Sequence, residues 1–481
     1  MIERKIKRTA KIAIFAVAHG VYWEQFPGLL ENMKIFHQKM CGKVESNDVE
    51  LKDFGIIDSS ILAHETAKKI LAFAPDLVFV NMITYATSSV FAPILKEINA
   101  PFVLLALQPR KAMDYTKANT FMQLENDSIC SVPEFIGVSV RLNKKINDVV
   151  LGTLEGDAAA DQQITDWCDI AKVLNGLKGA RLGLMGHVLE AMYDMHADPT
   201  MLSKTFNIHV PLIEIDDLVT CYEESTDEEI EAKKQLILRE FDMPDPVSDP
   251  VTTKLTEKDL LASAHGAAAL DRLVKKFKLN GLAYYYEGKP DSIQRLVATS
   301  LIVGNSILNA EGTPMCGEFD IKTNIAMLIM DKLDIGGSFA ELHPFDFDDN
   351  CILIGHDGPH HIKIAEGKPI LRSLTKFHGK PGSGASVEFK LKEGPITMLS
   401  INQKADGSFK FVIGEGYSKK GPIPPTGNTN TRGFFPPDTK DFIKRWCMAG
   451  PTHHCALGIG HKADLIKKIG DCLGIESEII R

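Results

Sequence analysis

Four short stretches pair a metal-ligating side chain with a neighbouring glycine. They are Cys316-Gly317-Glu318-Phe319-Asp320, Gly336-Gly337-Ser338-Phe339-Ala340-Glu341, Ile354-Gly355-His356-Asp357-Gly358 and Ala449-Gly450-Pro451-Thr452-His453-His454. Glycine at an element end lets backbone approach a ligand closely. Two carboxylates with two imidazoles form a mixed N/O set suited to Mn2+, Co2+ or Zn2+. Octahedral Mn2+ held this way would keep two positions for substrate oxygens. Spacing alone does not single these residues out, because the chain carries 15 His and 63 Asp plus Glu. Glu318 could equally cap the next helix, Glu341 could be a solvated loop residue, and His356 or His454 could be hydrogen-bonded core histidines.

Further residues invite the same weighing. Gly186-His187 and Asp194-Met195-His196-Ala197-Asp198 follow a strand, where ligand loops gather. His187 is a candidate ligand contact, against a loop histidine bonded to backbone. Asp194, His196 and Asp198 could form a second metal site, against a solvated turn. Glu287 ends the strand Tyr284-Tyr285-Tyr286, as a substrate contact or a solvated strand end. His360 and His361, if on a strand, would point to opposite faces. Gly382-Ser383-Gly384-Ala385-Ser386 has the spacing of a turn and not of a nucleophile elbow. No glycine-rich phosphate loop lies between a strand and a helix, which removes the best support for nucleotide binding.

The elements that must position these groups alternate in period. Apolar runs at 12–18, 77–80 and 101–105, with 56–58 as the end of another, read as strands; 25–41, 60–73 and 88–98 read as helices. Strands apolar on both faces, alternating with helices, predict a parallel sheet covered on both sides. The pattern restarts after Gly179, with strands at 181–186, 210–215 and 281–286 and helices at 227–241, 256–277 and 290–309; Pro244, Pro246 and Pro250 mark a loop. From about residue 350, short segments at 351–355, 361–365, 386–392, 396–402 and 409–414 read as antiparallel strands, 418–437 as a long loop and 453–473 as a helix. The expected fold is α/β, with two Rossmann- or flavodoxin-like parallel-sheet domains (1–178 and 179–330) followed by a β-rich antiparallel C-terminal domain (331–481).

Composition sets the outer bounds. The chain has 481 residues, 44% of them hydrophobic and 24% charged, with a formal net charge of −9. That is ordinary globular usage, and a dispersed negative charge gives no footprint for nucleic acid or anionic membrane. Nine cysteines without a Cys-x-x-Cys argue against a disulfide scaffold or zinc ribbon. The N-terminus lacks a small-residue cleavage site, so the expected setting is reduced and cytoplasmic.

The quartet with its surroundings resembles the L-arabinose isomerase family, within the wider L-fucose/L-arabinose isomerase fold group. The matching stretches are Gly317-Glu318-Phe319-Asp320-Ile321-Lys322-Thr323, Gly336 to Glu341, Gly355-His356 and Ala449 to His454, with a weaker match at Phe121-Met122-Gln123-Leu124. The resemblance implies three domains, an Mn2+-dependent aldose–ketose isomerase, and a homotrimer or homohexamer with sites between subunits. It implies Glu318, Glu341, His356 and His454 as metal ligands, with Co2+ as another possible ion, and His453 as a neighbour lining the sugar site.

The chain departs from the family around the sugar. Ala18-His19-Gly20-Val21-Tyr22-Trp23 replaces Gln-His-Leu-Tyr-Gly, leaving His19 and Tyr22 as candidate sugar contacts against a local loop with buried aromatics. Glu125 to Ser131 lacks the family's histidine, and Asp357-Gly358-Pro359-His360-His361 replaces a Met-Leu-Glu-type sequence. Set against that family, the stretches implied as metal ligands match while those implied to line the sugar differ. The expected reaction is aldose to ketose, of the L-arabinose to L-ribulose type or on a fucose- or galactose-like sugar. It would run through an enediol with Glu318 and Glu341 as the acid/base pair. A hydride shift, a non-catalytic sugar receptor and a metal-dependent hydrolase or aldolase are the competing readings.

Overall fold

The computed structural model describes all residues except 1, 190–191, 246, 248–254 and 375–381. Pro246 and Pro250 lie outside the described residues. The chain divides into two compact units, Arg8–Asn175 and Met1–Lys7 with Gly176–Arg481.

In the first unit, β1 (Lys11–Val17), β2 (Glu50–Ile57), β3 (Leu77–Met82), β4 (Phe102–Gln108) and β5 (Asp148–Thr153) form one parallel sheet in the order β2-β1-β3-β4-β5. This is the flavodoxin-like strand order. Strands β1 and β3 are almost wholly buried, as expected of strands covered on both faces. Ser59 starts the helix Ser60–Phe73 by accepting a hydrogen bond from the Leu62 amide. The edge strand β2 bulges where Ile14 pairs with Asp53 and Ala16 with Ile56, with Gly55 at φ 77°.

In the second unit the parallel pattern returns on a smaller scale. Strands β6 (Leu182–Gly186), β7 (Leu212–Ile213), β8 (Gly281–Tyr285) and β9 (Met315–Cys316) lie in the order β7-β6-β8-β9. The expected strand 210–215 is reduced to two residues, since Pro211 offers no N–H to a ladder. The expected helix 290–309 is two helices, Ile293–Thr299 and Ile302–Glu311, parted where Ser300 turns its hydroxyl onto the Val297 carbonyl.

The C-terminal part is antiparallel and closed. Strands β10 (Gly336–Asp346), β11 (Cys351–Gly355), β14 (Gly394–Gln403), β15 (Phe409–Lys419), β16 (Thr431–Phe434) and β17 (His454–Ile459) run β14-β17-β10-β11-β16-β15, and β14 pairs again with β15 to complete a barrel. Strand β18 (Glu476–Ile480) joins β15 in parallel, and β12 (Ile370–Ser373) with β13 (Ala385–Glu388) forms a separate hairpin. The two parallel sheets and the β-rich end are the architecture the sequence predicts.

Residues 454–459 are a strand and not the start of a helix, which begins only at Ala463. Their run Cys455-Ala456-Leu457 is buried between β10 and β14, and burial overrides local propensity. Residues 362–364 are a 3-10 turn, so His360 and His361 are not strand residues. Both are buried, His360 stacked on Phe389 and His361 3.5 Å from Asp331. Strand β16 interrupts the expected loop 418–437.

Every residue of the helix Ile321–Lys332 is buried. It packs on β10, β14 and β17 on one side and on β8 and β9 on the other. Its polar residues are paired. Asn324 donates to the Leu282 and Pro314 carbonyls, and Asp331 takes both Arg4 guanidinium nitrogens at 2.5 and 3.0 Å. Burial pushes the Asp331 carboxyl up, but His361, Arg4 and Lys332 together hold it well below the usual range. A carboxyl held below its unfolded value of about 3.9 adds stability that is fully present above that pH and is lost as pH falls from there through the lower folded value. Asp331→Asn is therefore expected to lower the thermal midpoint at neutral pH and to flatten the loss of stability below pH ~4. Thermal melts across pH check this; parallel curves for the two proteins would refute it.

Candidate metal centre

The barrel register explains how residues far apart in sequence converge. Strand β10 lies between β11 and β17, and Glu341 pairs with Gly355 on one side and His454 on the other. His356 follows Gly355 just past the end of β11, so three of the four quartet residues sit side by side where β11 ends and β17 begins. Glu318 arrives from the loop after β9. Glu318 and Phe319 both have positive φ, 53° and 63°, a rare conformation for residues with side chains. Asp320 then caps the buried helix, accepting from the Thr323 amide at 3.0 Å.

The four groups come close as two overlapping trios, Glu318 with His356 and His454, and Glu341 with His453 and His454. His454 Nε2 lies 3.4 Å from Glu318 Oε2, His356 Nε2 lies 3.7 Å from Glu318 Oε1, and the same His356 nitrogen lies 3.9 Å from Glu341 Oε1. Phe339 packs its ring against both imidazoles, with ring centroids 4.3 and 4.4 Å away. Glu318 is not the helix cap; Asp320 holds that position. Glu341 is a strand residue, only about a third exposed. His356 and His454 are buried and held by carboxylates, yet in both the nitrogen facing the glutamates is the one away from that contact.

The other nitrogens are oriented by carboxylates. His454 Nδ1 lies 3.1 Å from Asp320 Oδ2, and His356 Nδ1 lies 3.1 Å from Asp357 Oδ1. Burial pushes the Asp320 carboxyl up, but His454, the Lys322 charge and Thr323 hold it far below the usual range. Burial pushes the His356 imidazole down, and Asp357, Glu341 and Glu318 more than offset it, so its pKa is raised. The buried His454 Nε2 and Glu318 Oε2 have no hydrogen-bond partner. Two facing donor atoms without a partner are costly in a protein interior. A cation between them would satisfy both, and carboxylates behind the imidazoles are the usual supports of histidine metal ligands. The donor set therefore fits a divalent metal.

The remaining predicted residues divide. His453 borders the centre, its Nε2 4.0 Å from Glu318 Oε2 and its Nδ1 2.7 Å from Asp194 Oδ2. Glu287 lines a cavity of about 190 Å³ with Tyr285, Arg295, Glu318 and His356. It accepts a 2.6 Å hydrogen bond from Tyr285, whose phenol is pushed up by burial and by this carboxylate. His187 packs edge-on against Tyr285, 5.4 Å between centroids, and its Nδ1 contacts the Val188 carbonyl. His19 and Tyr22 belong to the first unit, where they form an aromatic cluster with Tyr85 just past β1.

Asp194, His196 and Asp198 do not gather into a metal site. Asp194 holds His453, Asp198 caps the helix Pro199–Phe206, and the His196 carbonyl accepts from Lys322. Ser383 bonds the Leu296 carbonyl in a turn. Asp320, Asp357, Phe339 and the partnership of Asp194 with His453 escape sequence reasoning. Only the Asp320-x-x-Thr323 cap spacing and the adjacency of Asp357 to His356 hint at two of them.

Asp320→Asn keeps a helix cap but removes the charge behind His454. Mn2+ binding to chelated protein should weaken about 10–100-fold, read by calorimetric titration. Unchanged affinity would show that Asp320 does not support the centre.

Among known proteins, no family model matches the chain. It is similar to the L-arabinose isomerase of Tolumonas auensis (strain DSM 9187 / NBRC 110442 / TA 4), with 22% identity over 416 residues, 84% of this chain and 80% of that protein. The likeness is distant and extends over most of both chains, and it is to a sugar isomerase.

Proposed function

We propose that the chain is a metal-dependent aldose–ketose isomerase acting on a neutral monosaccharide. The observation that carries this reading is the meeting of Glu318, Glu341, His356 and His454 around a buried imidazole nitrogen and carboxylate oxygen that lack hydrogen-bond partners. The distant likeness to an L-arabinose isomerase supports the reaction class. The sugar of this reading is L-arabinose, converted to L-ribulose, with a fucose- or galactose-like aldose as the alternative.

Isomerisation moves one hydrogen between C2 and C1 and one proton between O2 and O1. A divalent cation such as Mn2+ or Co2+, held by the four groups, supplies polarisation of the carbonyl and acidifies the neighbouring hydroxyl. One glutamate carboxylate removes the C2 proton. The electron pair moves into a C1–C2 double bond while O1 gains a proton, giving an enediol. The O2 proton then leaves as the C2 carbonyl forms, and C1 is protonated. Glu318 and Glu341 both approach His356 Nε2, at 3.7 and 3.9 Å, so two carboxylates stand at the centre to divide these transfers. Asp320 and Asp357 keep the ligand nitrogens pointed inward. Phe339 backs both imidazoles with a buried apolar ring. The cavity is smaller than the ~300–1,000 Å³ of drug-sized ligand sites, which suits a monosaccharide. Glu287 and His453 stand where they would accept hydrogen bonds from sugar hydroxyls. A homotrimeric or homohexameric assembly in the cytoplasm belongs to the same reading.

The test is ketose formation from a panel of aldopentoses and aldohexoses, using chelated protein with and without Mn2+. Metal-dependent ketose from one sugar is expected. Glu318→Gln and Glu341→Gln should each reduce turnover by at least ~10²-fold with an unchanged circular dichroism spectrum. Near-wild-type turnover in either would sink the acid/base pair. Mn2+ binding without any reacting sugar would assign the centre to other chemistry. Failure to bind Mn2+ would favour a sugar receptor.

A further inference from the structure

The first unit contains a second group of ligating atoms, independent of the proposed isomerase centre. His37 and Cys41 are four residues apart on the helix Leu29–Glu45 and so share one face. Asp53 reaches them from β2 at its bulge, where Gly55 adopts positive φ and gives its amide to Asp53 Oδ1 at 2.7 Å. His37 Nε2 lies 2.8 Å from Asp53 Oδ1 and 3.8 Å from Cys41 Sγ, and all three ligand atoms lie within 4.8 Å of one another. His37 and Cys41 are buried while Asp53 is exposed, which leaves an entry on the carboxylate side. Behind His37, the buried Asn81 amide contacts Nδ1 at 3.0 Å.

From these atoms we infer that His37, Cys41 and Asp53 form a binding site for a soft divalent cation of the Zn2+ class, with a fourth position open to water. Metal–ligand distances of ~2.0–2.3 Å in a tetrahedron separate nitrogen from sulfur by roughly 3.6 Å and nitrogen from oxygen by roughly 3.4 Å. The sulfur distance is already met, and the carboxylate needs to move by only about half an ångström. Thiolate ligation selects Zn2+ over the hard ions suited to a carboxylate-rich centre. On binding, the thiol proton leaves to solvent and the imidazole proton moves from Nε2 to Nδ1. A half-turn of the Asn81 amide then offers its oxygen to that proton, as expected behind a histidine ligand. Because the ligands join the helix to the edge strand, the ion would also pin these two elements together.

The probe is Co2+ added to the chelated full-length protein, with binding counted by calorimetry and thiolate ligation read from the near-ultraviolet sulfur-to-cobalt absorption. The expected result is a thiolate band that Zn2+ abolishes, and that Cys41→Ser removes together with one bound ion. Asp53→Asn, at the exposed end, should retain the fold and weaken that ion at least ten-fold. In the same titrations Glu341→Gln should leave the band intact, which separates this site from the proposed isomerase centre. Absence of the band, or a band unchanged in both Cys41→Ser and Asp53→Asn, would overturn the proposal and leave His37 and Asp53 as a hydrogen-bonded pair.

Discussion

The contact between Asp320 and His454 is the constraint on which the second unit turns. Both side chains are fully buried, and 3.1 Å separates carboxylate oxygen from Nδ1. A buried charge is tolerated only when its neighbours compensate it. Here one carboxylate serves three partners: the helix amide it caps, the Thr323 hydroxyl and the imidazole. The helix must therefore begin where β17 presents His454, and the nitrogen left over on His454 is the one that faces Glu318. Helix start, strand register and ligand tautomer are fixed by a single group.

The helix that Asp320 begins carries this constraint through the unit. It is buried on all sides, so its polar residues must find partners inside the protein. Each partner fastens a different part of the chain. Lys322 holds the carbonyls of Asp194 and His196, Asn324 those of Leu282 and Pro314, and Asp331 holds Arg4. Asp194 in turn orients His453 beside Glu318. The loop after β6 and the His453 imidazole are thus positioned by the same helix that positions His454. An apolar helix of equal length would fill the space but would not place these loops.

Sequence reading reached the elements whose signal is local. The first sheet follows from apolar runs such as Ile12 to Ala18, which need cover on both faces. The barrel was harder, because it depends on β17 pairing with β10 and β14 over long separations. His454 shows the difficulty. Before Cys455 to Ile459 the chain offers Pro451 and a pair of histidines, and after it comes an amphipathic helix, so periodicity extends the helix too far. The quartet was legible as residue types beside glycine, and a resemblance sharpened it. Its supports were not, because an aspartate that orients a histidine looks like any other aspartate until the chain is folded. Asp194 was legible as a possible ligand, and the fold gives it a different task.

The loop bearing Glu318 shows how the stable framework meets the reactive centre. Two successive residues with side chains hold left-handed backbone, each at a cost of about 1–3 kcal/mol. Such a conformation persists only where the surroundings over-determine it. Gly317 lies so close to Phe339 that a Cβ there would sit 3.1 Å from the ring, and Asp320 is locked into the helix start. The chain between these two fixed points has two residues in which to turn, and the turn that fits lifts the Glu318 carboxylate toward His356 and His454. Relaxing the backbone would relieve the strain but withdraw the carboxylate from both imidazoles. The strain is thus a consequence of holding Glu318 at the centre, and the buried helix and Phe339 supply the rigidity that sustains it.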